Sequence, residues 1–349
     1  MQYKGIDIVK FIMALFVVIL HTHPLYVVNR TADFFTADVM ARAAVPFFFA
    51  ATGFLLEKQI NEQHIDIRVK LGRYIRKVLI LYGIWSVVYL PIILYNKFLI
   101  SDVTFTYGVF TMMRDFIFAG SYGQLWYLPA VAVGVLAVFV SRKYLGERRT
   151  GVILFLLFLM GLATQSYFGF TTVLIQPDSI LWKGMKAVKK VIVTCRNGVF
   201  FGSIFLYMGT WIARCDIKMK RWKAVSGLIL STMLFCMEAS YLWSIGSVRE
   251  SDMYLMLLPT VFFLMMCALQ IQVRMDTVLF RRMSINIYLV HTAFKFIYRE
   301  FVGEHNESGM PLFLFTLTGT LIMAYLIERF ERRRGRLLWC LEKKRSQNG

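Results

Sequence analysis

The chain has 349 residues, 58% hydrophobic and 16% aromatic with only 17% charged, and its mean hydropathy is +0.58. That balance excludes an ordinary soluble domain, which carries more charge and less apolar side chain. The net charge of +19 invites a nucleic-acid partner. In a chain this apolar, however, the excess Lys and Arg belong to cytoplasmic loops that set membrane orientation, and we expect no nucleic acid.

The apolar residues arrive in blocks that are apolar nearly all round, and none alternates as a barrel strand does. Each block approaches the ~20 residues that cross a ~30 Å hydrocarbon core as helix. Only internally hydrogen-bonded helices suit such blocks in lipid. The predicted spans, in chain order, are 7–24, 39–56, 78–97, 124–141, 151–168, 198–212, 224–244, 253–271, 284–301 and 311–328. The expectation is therefore an all-α integral membrane protein, a bundle of about ten transmembrane helices. No stretch is left over for a separate soluble domain.

The first span lacks a small-residue cleavage site and runs into His21-Thr22-His23-Pro24, so it reads as a retained signal anchor. Alternate loops are cation-rich: Lys58 to Lys77 after the second span, Arg142 to Arg149 after the fourth, Arg214 to Lys223 after the sixth and Arg274 to Arg282 after the eighth. The tail from Arg329 to Arg345 is equally basic, which places both termini in the cytoplasm. The segment 182–193 departs from this rule with Lys183, Lys186, Lys189 and Lys190. It reads either as a basic amphipathic helix in the interface, with Trp182 and Met185 dipped into lipid, or as an outward-facing cationic rim. The five cysteines lack metal-ligand spacing, and we expect no metal site.

Ionisable side chains inside spans are costly, so each is a functional candidate. Lys10 and His21 lie eleven residues apart, which at about 100° per residue returns to one helix face, about 16 Å along the axis. Asp7 is one turn from Lys10 and can pair with it. Lys10 alone is compatible with simple snorkelling to the headgroups; His21 is too short to reach them. His23 points roughly opposite, toward the interface. In the ninth span Ser284, Tyr288, His291, Lys295 and Arg299 form one stripe, facing either a wet cavity or a structural seam between helices. Glu238 is the one carboxylate deep in the seventh span, with His21, His291 or Arg42 as its expected partner. An imidazole with a carboxylate partner, in a site that excludes bulk water, is suited to general-base chemistry.

These residues resemble the acyltransferase-3 family of membrane acyltransferases. Asp7-Ile-Val-Lys10, ten residues and then His21 is similar to the family's opening Asp-x-x-Arg and His. Arg42-Ala-Ala-Val-Pro46-Phe-Phe-Phe, Arg73-Tyr-Ile-Arg76-Lys77, Leu125-Trp126-Tyr127-Leu128, Arg196-Asn-Gly198 and Ser284-x-x-x-Tyr288-x-x-His291 follow in the family's order. The resemblance implies a ten-helix transmembrane domain over 1–330 with a basic cytoplasmic tail over 331–349. It also implies transfer of an acyl group, most simply acetyl, from cytoplasmic acyl-CoA to a hydroxyl of a cell-envelope glycan or small molecule. His21 is then the catalytic base with Glu238 orienting or balancing it, and Lys10, Arg73, Arg76 and Lys77 meet the donor. Arg42, Trp126, Tyr288, His291 and Lys295 line the acceptor pocket. No cofactor is held permanently; acetyl-CoA is a co-substrate. One departure is Lys10 where the family has Arg, which keeps a point charge and loses the bidentate fork.

The Val-Pro-Phe-Phe-Phe run, the length and the basic tail also resemble the membrane half of vancomycin-resistance serine racemases. That likeness implies an L-serine transport module attached to, or associated with, a cytoplasmic racemase. Either way the expected location is a bacterial plasma membrane, with lipid as solvent.

Overall fold

The computed structural model describes residues 3–63, 66–101, 103–175, 179–180, 182–184, 193–303 and 308–347, with side chains as far as 333. Among these residues every regular element is helical. In chain order they are α1 Lys4–Thr22, α2 Arg30–Asp33, a π-helical turn Phe34–Val39 and a 3-10 turn Met40–Ala43, then α3 Ala44–Gln63 and α4 Ile67–Leu94 with a π-helical extension Tyr95–Ile100. There follow α5 Phe105–Phe118, α6 Tyr127–Leu145, α7 Glu147–Thr164, α8 Phe168–Leu174, α9 Ser203–Arg214, α10 Arg221–Ser244, α11 Leu257–Leu269, α12 Val278–Val302 and α13 Met310–Gln347.

Six stretches are long and apolar enough to cross a membrane: Lys4–Thr22, Arg30–Glu62, Ile67–Ile100, Gly123–Leu145, Arg221–Ser244 and Met310–Arg333. A seventh span arises if α7 and α8, bent by 89°, are taken together. Each of the ten predicted spans coincides with a helix, but α7 qualifies only together with α8, and three others do not qualify as full crossings. The helix α9 has 12 residues and α11 has 13, about 20 Å of helix against a ~30 Å core. Length is no obstacle for α12 with its 25 residues, but Arg281, Arg282, Lys295 and Arg299 break its apolar run. The helix α5 lies in what the sequence leaves as a loop; it exposes Phe105, Phe110, Met113 and Ile117, as a lipid-facing helix does.

The described chain divides into two compact units, Met1–Ala41 with Ile271–Gly349, and Arg42–Gln270. In the first unit α1 packs on α12 and α12 on α13. Two polar clasps set that register: Thr277 Oγ1 donates to Asp7 Oδ2 at 2.9 Å, and Lys4 Nζ donates to the carbonyls of Val273 and Arg274 at 3.2 and 3.3 Å. Buried Glu328 on α13 meets Arg282 at 3.5 Å and Arg332 at 3.0 Å.

In the second unit α3 and α9 form the most intimate pair, because glycines let their backbones touch. A Cβ on Gly53 would fall 2.1 Å from the Leu206 carbonyl oxygen, and one on Gly209 would fall 1.9 Å from that of Ala50. Around this crossing Phe49, Trp126, Tyr127, Phe201 and Phe205 pack edge-on and tilted, with ring centroids 4.7 to 6.2 Å apart. One end is closed by charges. Arg142 forks onto Glu57 at 2.8 and 3.2 Å and reaches Glu147 at 3.2 Å, while Arg214 bridges the same two carboxylates.

Candidate functional site

The helix α1 ends where His23 takes a left-handed conformation (φ 46°), its N–H donating to the Ile19 carbonyl, with Pro24 unable to continue the helix. The last turn thus presents His21 half-buried, on the same unbroken helix as Lys10. From α12, Ser284, Tyr288 and His291 are all buried, so that part of the predicted stripe does face inward. Lys295 and Arg299, further along it, are half-buried. The structure brings His21 and His291 together, with ring centroids 5.1 Å apart, and Tyr288 lies 6.3 Å from His291.

The His291 ring has a definite tautomer. Its Nδ1 lies 2.9 Å from the Tyr288 carbonyl and 3.2 Å from that of Ile287. A carbonyl only accepts, so Nδ1 carries the proton and Nε2 keeps a lone pair. That Nε2 is buried and meets no hydrogen-bond partner among the described residues. An orphaned buried acceptor is costly, about 1–3 kcal/mol, and it is the arrangement expected of a ring meant to meet a polar ligand or a moving proton.

His23 does not simply sit at an interface. Its Nδ1 donates to Asp33 Oδ2 at 2.8 Å, and the other oxygen of buried Asp33 accepts from the Leu25 backbone N–H at 2.9 Å. The carboxylate-oriented imidazole of this unit is therefore His23, a pairing invisible in sequence because Asp33 follows ten residues later across a turn.

The second unit gathers a different set. Arg42 donates to Asp252 and, at 2.8 Å, to Ser251 Oγ; Arg196 meets the same Asp252 oxygen at 3.2 Å and lies 4.9 Å over the Trp126 ring. Burial pushes the Asp252 carboxyl up, but the guanidinium groups of Arg196 and Arg42 outweigh it and hold the group below the usual carboxylate range. The Arg42 and Trp126 predictions thus fall on one cluster, and Arg196 and Asp252 are the members sequence reasoning missed.

Glu238 corrects an expectation. Its partners are not His21, His291 or Arg42. It accepts from Tyr167 Oη at 2.7 Å and from the backbone N–H groups of Leu255 and Met256 at 2.7 and 2.8 Å. Those are orphan donors at the start of α11, so the carboxylate acts as a helix-end cap within lipid depth. Trp182 is likewise not dipped into lipid; it is buried with its ring 5.8 Å from that of Phe168. Most of the segment 182–193, including Met185, Lys186, Lys189 and Lys190, lies outside the described residues. On α4, Arg73, Arg76 and Lys77 are exposed on one face near the helix start. Among the described residues no group of His, Cys, Asp and Glu is arranged to hold a metal ion.

Apolar helices long enough to span, with polar groups buried among them, define a multi-pass membrane protein. Comparison with known families agrees: the acyltransferase-3 acyltransferase domain matches residues 3–329, and the chain belongs to that family. Among curated proteins it is similar to two amino-acid racemases of Enterococcus faecalis. One is 30% identical over 266 residues, 75% of this chain and 35% of the relative; the other is 26% identical over 292 residues, 82% and 40%. A serine/alanine racemase of Enterococcus gallinarum is 28% identical over 265 residues, 76% of this chain and 37% of that protein. The chain therefore spans little more than a third of the length of these relatives. No solved structure matches it.

Proposed function

We propose that this protein is a membrane O-acyltransferase of the bacterial plasma membrane, moving an acyl group from cytoplasmic acyl-CoA, most simply acetyl-CoA, to a hydroxyl acceptor of the cell envelope. The observation that carries this reading is the pairing of His21 with His291 at 5.1 Å, next to a buried Nε2 lone pair. The acceptor hydroxyl attacks the thioester carbonyl; a C–O bond forms, the C–S bond breaks, and the hydroxyl proton passes to His21 and on to the departing CoA thiolate. His291 Nε2 accepts from a second hydroxyl of the acceptor and so positions the reacting one beside His21, with Tyr288 and Lys295 along the same stripe. Lys10 meets the donor from α1, and exposed clustered cations such as Arg73, Arg76 and Lys77 on α4 are suited to phosphates. Both termini lie in the cytoplasm in this reading, as the cation-rich loops require. Glu238 supports the fold through Tyr167 and the start of α11.

A second reading has a specific observation behind it: the relatives named as amino-acid and serine/alanine racemases are longer than this chain. In that reading the domain passes L-serine across the membrane to a racemase.

The test is transfer from labelled acetyl-CoA in membranes carrying the wild type, His21→Ala or His23→Ala. We expect transfer by the wild type and a loss of about 10²–10⁴-fold in His21→Ala, the usual worth of a general base. A comparable loss in His23→Ala alone moves the base to the His23–Asp33 pair. No transfer from any of them, with L-serine uptake intact in the same vesicles, sinks the enzyme and leaves the transport module.

A further inference from the structure

The helix α5 joins the far end of the span Ile67–Ile100 to the start of the span Gly123–Leu145, and no spanning helix among the described residues intervenes. Its two ends therefore meet one membrane surface. Lys97 lies twenty residues beyond Lys77 on the first of those spans, so about 30 Å, the thickness of a hydrocarbon core, separates that surface from the exposed cations at the other end. With 14 residues, about 21 Å of helix, α5 is too short to cross and return, and it lies in the interface. Phe110, Met113 and Ile117 follow at intervals of three and four and are all exposed, so they form one apolar side turned to lipid.

Arg114 and Asp115 interrupt that apolar side and line a cavity of about 350 Å³, together with Asn96, Lys97, Ser121 and Tyr122 among others. Its size is within the range of small-molecule sites, about 300–1,000 Å³. The walls are fixed from behind. Ser121 Oγ is 2.7 Å from Ser86 Oγ, its backbone N–H donates to Tyr82 Oη at 2.8 Å, and Tyr122 stacks on buried Tyr89 at 4.7 Å and 15°. Gly120 has φ +87°, and a Cβ there would run into the Trp126 backbone, so only glycine fits this turn. The charged wall is open to the surface, since the side chains of Lys97, Arg114 and Asp115 are 24%, 31% and 27% exposed.

Among the described lining residues two cations surround one carboxylate, which leaves a net positive charge. Asp115 Oδ1 accepts from Arg114 at 2.7 and 3.0 Å. Lys97 Nζ stands 3.7 Å from the other oxygen, beyond hydrogen-bond length, so its ammonium can turn to an incoming anion. A cationic wall at headgroup depth, beside an apolar helix side at acyl-chain depth, matches the two ends of a charged lipid. We propose that this cavity holds the headgroup of an anionic phospholipid, a singly charged phosphodiester that carries hydroxyls. The phosphate oxygens take Lys97 and the Arg114 N–H groups that do not face Asp115, and Asp115 accepts from a headgroup hydroxyl. The acyl chains run over Phe110, Met113 and Ile117. The proposal rests on none of the residues assigned to acyl transfer, so either can fail without the other.

The experiment is native mass spectrometry of the full chain, stripped of lipid in detergent and titrated with phosphatidylglycerol, phosphatidylethanolamine or phosphatidylcholine of identical acyl chains. Soluble glycerophosphoglycerol, the same headgroup without tails, is the fourth probe. The wild type is expected to bind one phosphatidylglycerol at least tenfold more tightly than any of the other three. Lys97→Gln and Arg114→Gln should each weaken that binding at least fivefold, whereas Arg148→Gln, an exposed cation at the start of α7, should leave it unchanged. Phosphatidylglycerol bound no better than phosphatidylcholine or phosphatidylethanolamine overturns the proposal. So does an equal loss in Arg148→Gln, or binding unchanged in both Lys97→Gln and Arg114→Gln. Glycerophosphoglycerol bound as tightly as the lipid would make the ligand a free polyol phosphate and overturn the lipid occupant. The four wild-type titrations decide the matter even where a variant fails to fold, and acetyl transfer on the same preparation reports separately on the acyltransferase reading.

Discussion

Replacing Gly209 with alanine tests the tightest contact in the second unit. The new Cβ would sit 1.9 Å from the Ala50 carbonyl oxygen, and real Cβ contacts do not come closer than 3.0 Å, so α3 and α9 must part by at least the difference. A gap of about 1 Å forfeits up to half the dispersion well of each contact along the seam. Overpacking costs of about 1–3 kcal/mol apply, and the backbone-to-backbone encounter puts this site at the upper end. At about 2 °C per kcal/mol for a chain of this size, the variant should melt about 6 °C below the wild type. Gly72 on α4 supplies the control, since nothing lies within 4 Å of its Cβ position. Alanine there removes only the helix penalty of glycine and should gain about 0.5–1 kcal/mol. The assay is thermal unfolding in detergent, followed by tryptophan fluorescence at one fixed scan rate, because unfolding of such proteins is commonly irreversible. If Gly209→Ala melts with the wild type, or if Gly72→Ala falls as far, the close-crossing argument is wrong.

Arg142→Met should leave buried Glu57 with Arg214 at 3.5 Å as its remaining described cation, a loss of about 3–5 kcal/mol read as a lower melting temperature. The double variant Glu57→Leu with Arg142→Met should recover most of it, because neither charge is then stranded. Asp252 gives a pH signature: its folded-state carboxyl is held below the ordinary value, so its contribution is complete above about pH 4 and fades as pH falls through the folded value. The stability gap between wild type and Asp252→Asn should accordingly be flat from pH 8 to 5 and narrow only as acid protonates the folded carboxylate; a gap that widens as pH falls contradicts the pairing. Removing Arg76 and Lys77 together should weaken acetyl-CoA use and flatten its salt dependence while leaving the melting temperature unchanged, since both side chains are exposed.

Apolar composition and block length made the helical membrane class legible, and the Lys10–His21 spacing and the Ser284–His291 stripe made each imidazole legible as a candidate, though not their pairing. What stayed hidden has physical reasons. The helices α9 and α11 are too short to span, yet their sequences are as apolar as spanning ones, so hydropathy alone overcounts full crossings. The helix α5 reads as loop because Arg114 and Asp115 interrupt its apolar run; in the fold they turn toward the cavity while Phe110 and Ile117 remain exposed. The Arg42–Asp252–Arg196 cluster joins residues over 50 and over 200 positions apart, and no local period can report such a pairing.

The intramembrane polar groups separate by what satisfies them. Glu238 accepts three hydrogen bonds, two of them from helix-end N–H groups, which tie it to the start of α11. Asp7 is likewise spent on Thr277, and Glu328 on Arg282 and Arg332. His291 differs: one nitrogen is fixed by backbone carbonyls, and the other is buried without a partner among the described residues, beside a second imidazole. Structural seams close their hydrogen bonds because an open one in lipid costs stability. An open one kept at a fixed tautomer is better explained by a ligand than by packing. Replacing His291 with Gln, which keeps a polar group near the same place but removes the ring lone pair, should therefore cost acyl transfer far more than melting temperature; the reverse result would make the ring part of the scaffold.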